Sequence, residues 1–117
     1  MAMLLIDGVP APSPSKLKVE IFDVGVSGER SASGDLVADR VAVRRRLTLG
    51  WRSLSPDALA GLLARTGGNV FFSATYPDPE LGVTERVFRC GARRSGVLRM
   101  DGDVPVWTDV SMEWEEK

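Results

Sequence analysis

The sequence predicts a mainly β domain with one α-helix, built as a β-sandwich or a partly open barrel that the helix flanks. Three observations support this fold class. Apolar and polar residues alternate with a period of two along most of the chain, glycine- and proline-rich turns separate these runs, and a single segment has helical spacing. A chain of 117 residues has the size of one domain. We therefore expect one β-rich domain over residues 1–117.

The first third of the chain predicts two strands and one long connection. "MLLIDGVP" is a short apolar strand that ends at a turn, and residues 16–24 alternate as a second strand does. Residues 25–40 then hold three glycines and three serines. Connections longer than about a dozen residues are uncommon in compact domains unless they bind something or stay disordered. We expect 25–40 to be a flexible arm that orders against a partner subunit. Its expected interface residues are Arg30, Ser31, Asp35, Leu36 and Val37.

A long strand is predicted over residues 41–51, where the apolar residues share one parity. Arg45 interrupts this apolar face, so its guanidinium must either reach an edge of the sheet or pair with an acid. Arg44 and Arg46 point the other way and form a candidate charged interface. Because only these two of the three consecutive arginines share a surface, and no aromatic residues interleave with them, nucleic-acid recognition is the least favoured function.

One helix is predicted after this strand. Ser55 as N-cap, Pro56 in the first turn and Asp57 near the positive end of the helix dipole agree on where it starts. Gly67-Gly68 ends the helical pattern. Its leucines form a single apolar stripe, which should lie across a sheet.

The remainder of the chain predicts two hairpins. Strands at 69–76 and 83–92 flank a Pro-Asp-Pro turn, and strands at 97–100 and 105–114 flank an Asp-Gly turn. One face of the last strand is expected to be apolar and to carry Val106, Thr108, Val110, Met112 and Trp114. The other face carries the carboxylates of Asp109, Glu113 and Glu115. This acidic face either lines a channel or is ordinary solvent-exposed surface.

The sequence lacks the residues of a familiar catalytic apparatus. It contains no histidine, which excludes the usual general base, the commonest metal ligand and Ser-His or Cys-His pairs. Cys90 is the single cysteine, so it makes no internal disulfide and is expected to be a small buried hydrophobe. Asp109 and Glu113 are about 13 Å apart along a strand, too far for a retaining glycosidase. We expect no enzymatic activity, no cofactor, no metal and no small-molecule substrate.

Charge and hydropathy narrow the partners further. Hydrophobic and charged residues make up 44% and 26% of the chain, the balance of a folded protein. A net charge of −1 gives no overall attraction to nucleic acid or to an anionic membrane, and no apolar run approaches the length of a membrane span. Arginines collect at 40–52 and 86–99, whereas acids collect at the C-terminal end. This asymmetry suits contacts between neighbouring subunits or a solvated surface.

The order of these signals resembles a family of small structural proteins from the tail-assembly regions of phages and prophages. The likeness covers nearly the whole chain. It comprises "MLLIDGVP", "KLKVEIFDV" with "GERSASGDLVADR", "VRRRLTLGWRSLSPDALAGLLAR", "VFFSATYPDPELG" with its Tyr-Pro-Asp-Pro turn, and "WTDVSMEWEE".

The resemblance implies a non-enzymatic component of the tail tube or of the distal-tail and baseplate region, with a tail-tube-like fold. Subunits of that fold assemble into rings, usually sixfold, through strand edges and loops. Copies of the chain and other tail proteins would be its partners, with DNA passing through passively. The protein would be made in the bacterial host cytoplasm and reside in the virion tail. The alternatives are a small β-barrel adaptor or connector that binds another tail or head protein and, less favoured, a nucleic-acid-binding barrel.

Overall fold

The computed structural model describes residues 3–24, 27–30, 36–39 and 42–117. Its elements in chain order are β1 (Leu5–Ile6), β2 (Val9–Pro10), β3 (Lys16–Val24), β4 (Ser27–Arg30), β5 (Leu36–Asp39), β6 (Ala42–Leu54), α1 (Pro56–Gly67), β7 (Phe72–Asp78), β8 (Gly82–Asp101) and β9 (Val104–Glu116). Within these residues, seven strands form one antiparallel sheet in the order β2-β1-β7-β8-β9-β6-β3, and β4 pairs with β5. The predicted fold class is confirmed, because the described chain is mainly β with one helix and the sheet does not close.

The sheet curls so that its two edges approach each other. Residues 11–15 cross from β2 at one edge to β3 at the other. The indole N–H of Trp51 donates to the carbonyl of Pro12 at 2.9 Å, and the backbone N–H of Ser15 donates to the carbonyl of Gly50 at 2.8 Å. On the open side, β3 and the C-terminal end of β7 line a shallow cleft. The result is a partly open barrel.

The helix starts where the sequence predicts and packs one face on the sheet. The hydroxyl of Ser55 accepts a hydrogen bond from the backbone N–H of Ala58 at 3.2 Å, as an N-cap does. Leu59 and Leu62 are buried against the sheet. At the other end of α1, the guanidinium of Arg93 lies directly against Gly67.

Aromatic side chains fill the centre of the core. Trp114 is fully buried and meets Phe72 edge to face, with ring centroids 4.9 Å apart. Tyr76 and Phe88 make a second edge-to-face pair at 5.6 Å. Such pairs add to the free energy that burial of their area supplies. These four residues lie on β7, β8 and β9, so they bind the middle strands of the sheet into one unit.

β8 is one continuous strand of 20 residues, whereas the sequence predicted a break between residues 92 and 97. The stretch "RRSG" does not alternate, and for that reason it gave no strand signal. It nevertheless pairs with β9, and the pairing register between the two strands shifts three times between Cys90 and Arg99. Bulges of this kind bend and twist a strand without ending it.

The long hairpins extend toward opposite ends of the sheet. At one end, β3 and β6 pair as far as Val24 opposite Ala42. β9 pairs with β6 only as far as Trp107 opposite Leu54. Beyond that point, residues 97–107 of β8 and β9 form what we call the distal hairpin. The described chain accordingly measures 72 × 26 × 24 Å.

At Asp109, the residues of β9 that face the core change along the chain from odd-numbered to even-numbered positions. Asp109 has a φ of 51°. After it, Val110 pairs with Trp51 of β6, and before it, Trp107 pairs with Leu54 of β6; both of these β6 residues are buried. The predicted apolar face is confirmed for Val110, Met112 and Trp114, which are buried. It is wrong for Val106 and Thr108, because Trp107 packs against the core in their place.

Replacing Asp109 with valine should therefore lower the free energy of unfolding by about 1–2 kcal/mol, because a β-branched side chain is strained at positive φ. Asp109→Gly is the matched control, since glycine adopts this conformation freely and should leave stability unchanged or raise it. Urea unfolding of the three proteins checks the order. Equal losses for both variants would contradict the assigned backbone conformation.

Candidate assembly surfaces

The predicted arm falls partly on residues that the structure describes. Ser31 and Asp35 lie outside them. Arg30 is the last residue of β4 and pairs with Leu36, the first of β5, and Val37 pairs with Glu29. The sequence predicted an irregular segment here. Two four-residue strands occur instead, too short and too rich in small residues to show an alternating pattern.

Arg46 lies in a charge ladder that crosses four strands on the outer face of the sheet. We define the charge ladder as Glu20, Arg46, Glu115 and Arg89, which are neighbours in register on β3, β6, β9 and β8. The Arg46 guanidinium lies 3.1 Å from Glu20, 2.7 Å from Glu115 and 3.1 Å from Glu113. Arg89 lies 3.5 Å from the other oxygen of Glu115. The Arg46 hydrogen bond lowers the pKa of the Glu115 carboxyl below its usual range.

The structure thus brings together residues that the sequence placed on two different surfaces. Arg46 belongs to the predicted charged interface, and Glu113 and Glu115 belong to the predicted acidic face, yet they neutralise one another. Asp109 is separate. It lines an open depression of about 540 Å³ beside Lys16 and Arg52. The sheet order that makes these contacts is set by non-local pairing, so no local pattern in the sequence signals them.

Arg45 is buried and pairs with an acid, as one of the two sequence alternatives required. Its Nε lies 2.8 Å from Oδ2 of Asp78, and the exposed fractions of the two side chains are 4% and 0%. The hydroxyl of Tyr76 donates to the same oxygen at 2.7 Å. The backbone N–H groups of Glu80 and Leu81 donate to Oδ1 at 2.9 and 3.0 Å. The Tyr-Pro-Asp-Pro motif therefore fixes the β7–β8 turn against β6.

A second carboxylate extends this buried cluster to the end of the chain. Glu116 accepts the backbone N–H of Arg45 at 2.8 Å through one oxygen. Its other oxygen lies 2.8 Å from the guanidinium of Arg86. The C-terminal end of β9 is thereby tied to both β6 and β8, which holds the base of the β8–β9 hairpin in place.

The buried cluster has one stable charge state. Burial alone would raise the pKa of the Asp78 carboxyl, but hydrogen bonds from Arg45, Tyr76 and two backbone N–H groups outweigh burial and hold this pKa far below its usual range. Burial and the bond to Asp78 raise the pKa of Tyr76 well above its ordinary value. Near neutral pH, the cluster therefore contains a carboxylate, a guanidinium and a neutral phenol.

The depressed pKa of Asp78 predicts a loss of stability in acid. A carboxyl with a lower pKa in the folded state stabilises the protein above the unfolded pKa, and this contribution falls as the pH drops toward the folded pKa. With an unfolded pKa of about 3.9, roughly 1 kcal/mol of the contribution should be lost by pH 3. Urea unfolding of the wild type and Asp78→Asn at pH 6 and pH 3 measures it. The stability gap between the two proteins should narrow, and a constant gap would contradict the prediction.

β3 and β8 each have a long edge without a neighbouring strand within the described residues. β3 pairs only with β6, along all nine of its residues. β8 pairs with β7 only over Gly82–Phe88, so its outer edge beyond Phe88 has no neighbouring strand. The distal hairpin also exposes apolar side chains at its tip. Their exposed fractions are 50% for Val97, 62% for Leu98, 57% for Met100 and 53% for Val104.

Cys90 lies half-buried on β8, next to the aromatic core. Burial raises the pKa of its thiol, which keeps it protonated near neutral pH. The predicted role of a small packing residue agrees with this environment. Among the described residues, no group of three or more Cys, Asp or Glu side chains is arranged to hold a metal ion.

Comparison of the chain with family models, with curated proteins and with solved structures finds no match. The described residues contain no helix with the length and apolarity that a membrane span requires.

Proposed function

We propose that this protein is a non-enzymatic structural component of a phage tail, in the tube or the distal-tail and baseplate region, and that it assembles into rings. The resemblance in the order of sequence signals supports the tail assignment. The fold agrees with the one that this resemblance implies, since a partly open β-barrel is flanked by one helix. Copies of the chain and other tail proteins are its proposed partners, and the virion tail is its proposed location.

The distal hairpin is the observation that carries the assembly proposal. An isolated two-stranded hairpin is marginally stable in water, and an unpaired edge with exposed apolar side chains readily takes up another chain. Here such a hairpin extends beyond the core and exposes Val97, Leu98, Met100 and Val104. A contact with a neighbouring subunit would bury these side chains and complete the edge.

The two ends of the molecule are different, which favours a ring over a two-fold dimer. The distal hairpin lies at one end of the sheet, and the paired ends of β3 and β6, at Val24 and Ala42, lie at the other. When unlike surfaces of identical subunits join head to tail, the assembly closes into a ring if the rotation per subunit allows it. An adaptor protein would need only one such surface, and it would be present in few copies.

Native mass spectrometry and negative-stain electron microscopy of the purified chain, over a range of concentrations, test the proposal. We expect one defined multiple of the 12.7 kDa chain and ring-shaped particles. Leu98→Lys should shift the distribution toward single chains. Val70→Lys is the matched control, because Val70 is 73% exposed and lies outside the distal hairpin. A chain that stays single at every concentration, alone and when produced together with neighbouring tail proteins, would contradict self-assembly. A one-to-one complex with one of those proteins would favour the adaptor.

A further inference from the structure

We infer that the outer edge of β8 in one copy pairs with the free edge of β3 in a second copy, antiparallel, with Asp101 opposite Lys18 and Arg99 opposite Glu20. This inference rests on the proposed self-assembly, and it names the two surfaces that meet and the register in which they meet.

The two edges are comparable in length. β3 offers nine residues, from Lys16 to Val24. On β8, the guanidinium of Arg93 lies against Gly67 at the end of the helix, so we take the edge that a partner can reach to begin after Arg93. The eight residues 94–101 remain, with β9 on one side and no strand on the other within the described part of the chain. An added strand would satisfy backbone groups that both edges now present to solvent.

The charges select the direction and the register of the pairing. In the antiparallel register proposed here, Lys18 meets Asp101 and Glu20 meets Arg99, so both cross-strand pairs have opposite charge. A parallel alignment with the same residues in contact would place Lys18 beside Arg99 and Glu20 beside Asp101. A slip of two residues in either direction brings Lys18 opposite Arg99 or Glu20 opposite Asp101. Opposite charges directly across a ladder are stabilising and like charges are destabilising.

In the proposed register, the four charged residues alternate in sign around a square, in the order Lys18, Asp101, Arg99 and Glu20. Arg99 and Asp101 already contact each other at 3.1 Å, with both side chains about 60% exposed. Glu20 contacts Arg46, and its side chain is 59% exposed. In the proposed register, the Arg99–Asp101 pair would extend the charge ladder from β3 onto the neighbouring subunit. Charged carboxylates are costly to place in a membrane, so Asp101 and Asp103 at the turn disfavour insertion of the hairpin tip into a membrane.

Over residues 99–101 of β8, which follow the register shift between Val97 and Arg99, the two faces of the joined sheets also match. Met100 lies opposite Pro105, and Pro105 has the same parity as Trp107, which packs against the core. Met100 therefore shares the core-facing side of the sheet, as Val19 does on β3. The proposed register sets Val19 opposite Met100. Apolar residues thus meet on the inner face while the charged pairs meet on the outer face.

The strand directions make this contact heterologous. Within one copy, β3 is antiparallel to β6, β6 to β9 and β9 to β8, so β3 runs antiparallel to β8. Antiparallel pairing between copies therefore leaves both subunits pointing the same way. Each copy then uses its β8 edge for one neighbour and its β3 edge for another, which is the arrangement that a ring requires.

Charge reversal tests the register. Lys18→Glu alone and Asp101→Lys alone each turn an attractive pair into a repulsive one and should weaken self-association about tenfold. The double variant Lys18→Glu/Asp101→Lys restores opposite charges and should return to within about threefold of the wild type. Asp103→Lys is the matched control, since it makes the same change two residues further on, outside the paired register. Sedimentation measures association, and circular dichroism confirms that each variant folds.

Disulfide trapping separates this inference from the proposed function. In a Cys90→Ser background, a mixture of Lys18→Cys and Asp101→Cys chains should form a cross-linked dimer on oxidation, and neither variant should do so alone at a comparable yield. Paired Cα atoms across an antiparallel ladder lie at a distance that a disulfide spans. If rings form but neither the cross-link nor the charge rescue is observed, the proposed register is wrong, whereas the proposed self-assembly still holds. A chain that never associates would overturn both.

Discussion

Replacing Asp78 with alanine should lower the free energy of unfolding by about 3–5 kcal/mol, because it leaves the buried guanidinium of Arg45 without a counter-charge. Arg45 is 3% exposed, so water cannot replace the lost carboxylate. The same change removes the acceptor for the Tyr76 hydroxyl and for two backbone N–H groups of the β7–β8 turn. Urea denaturation followed by tryptophan fluorescence measures the loss.

Glu80→Ala is the matched control for Asp78. Glu80 lies in the same turn, and its carboxylate is 3.6 Å from the same guanidinium, but its side chain is 68% exposed. Exposed ion pairs contribute little, so this variant should lose less than about 1 kcal/mol. The double variant Arg45→Met/Asp78→Leu should recover part of the loss, because it leaves no unpaired buried charge. A value for Asp78→Ala as small as that for Glu80→Ala would contradict the assigned role of the cluster.

Trp114→Ala should cost about 3–5 kcal/mol, because it removes the largest fully buried side chain and leaves a cavity between the two halves of the sheet. Trp114 lies opposite Leu47 on β6 and opposite Cys90 on β8, so the cavity would open at the centre of the ladder. It would also remove the edge-to-face contact with Phe72. Thermal and urea unfolding measure the effect.

Two further tryptophan variants make the Trp114 prediction specific. The indole N–H of Trp114 has no hydrogen-bond partner within the described residues, so Trp114→Phe loses volume but no hydrogen bond and should cost less than half as much. Trp107 is half-buried at the start of the distal hairpin, and Trp107→Ala should cost only about 1–2 kcal/mol. Should Trp114→Ala fail to fold, Trp114→Phe still provides the comparison. Equal losses of unfolding free energy for Trp114→Ala and Trp107→Ala would contradict the position of Trp114 at the centre of the core.

Local patterns predicted the parts of the fold that depend on local physics. Alternation located β3 and most of β6, and the cap at Ser55 located the helix start. Arg45 on an apolar face left two alternatives, an edge position or a pair with an acid, and nothing nearby in the sequence identified Asp78 as its partner. The Asp78 interaction spans 33 residues, and only the curl of the sheet brings β6 and the end of β7 together.

The sequence could not predict features that depend on pairing between distant strands. Asp109 carries no signal of its positive φ, because aspartate is also common in ordinary turns. The "RRSG" stretch becomes strand through its ladder with β9 and not through its own pattern. The charge ladder joins residues from four strands, so recognising it required the strand order. For the same reason, the sequence pattern places the predicted acidic face and the predicted arginine interface on separate surfaces.

The elongated shape of the chain affects how its solution behaviour is interpreted. Its radius of gyration is 18.2 Å, whereas a compact domain of this length has a value of about 13 Å. Frictional drag rises with elongation, so a single copy should migrate on a gel-filtration column like a heavier spherical protein. Elution volume alone would then mistake one chain for two, and light scattering or sedimentation equilibrium, which report mass independently of shape, give the true stoichiometry.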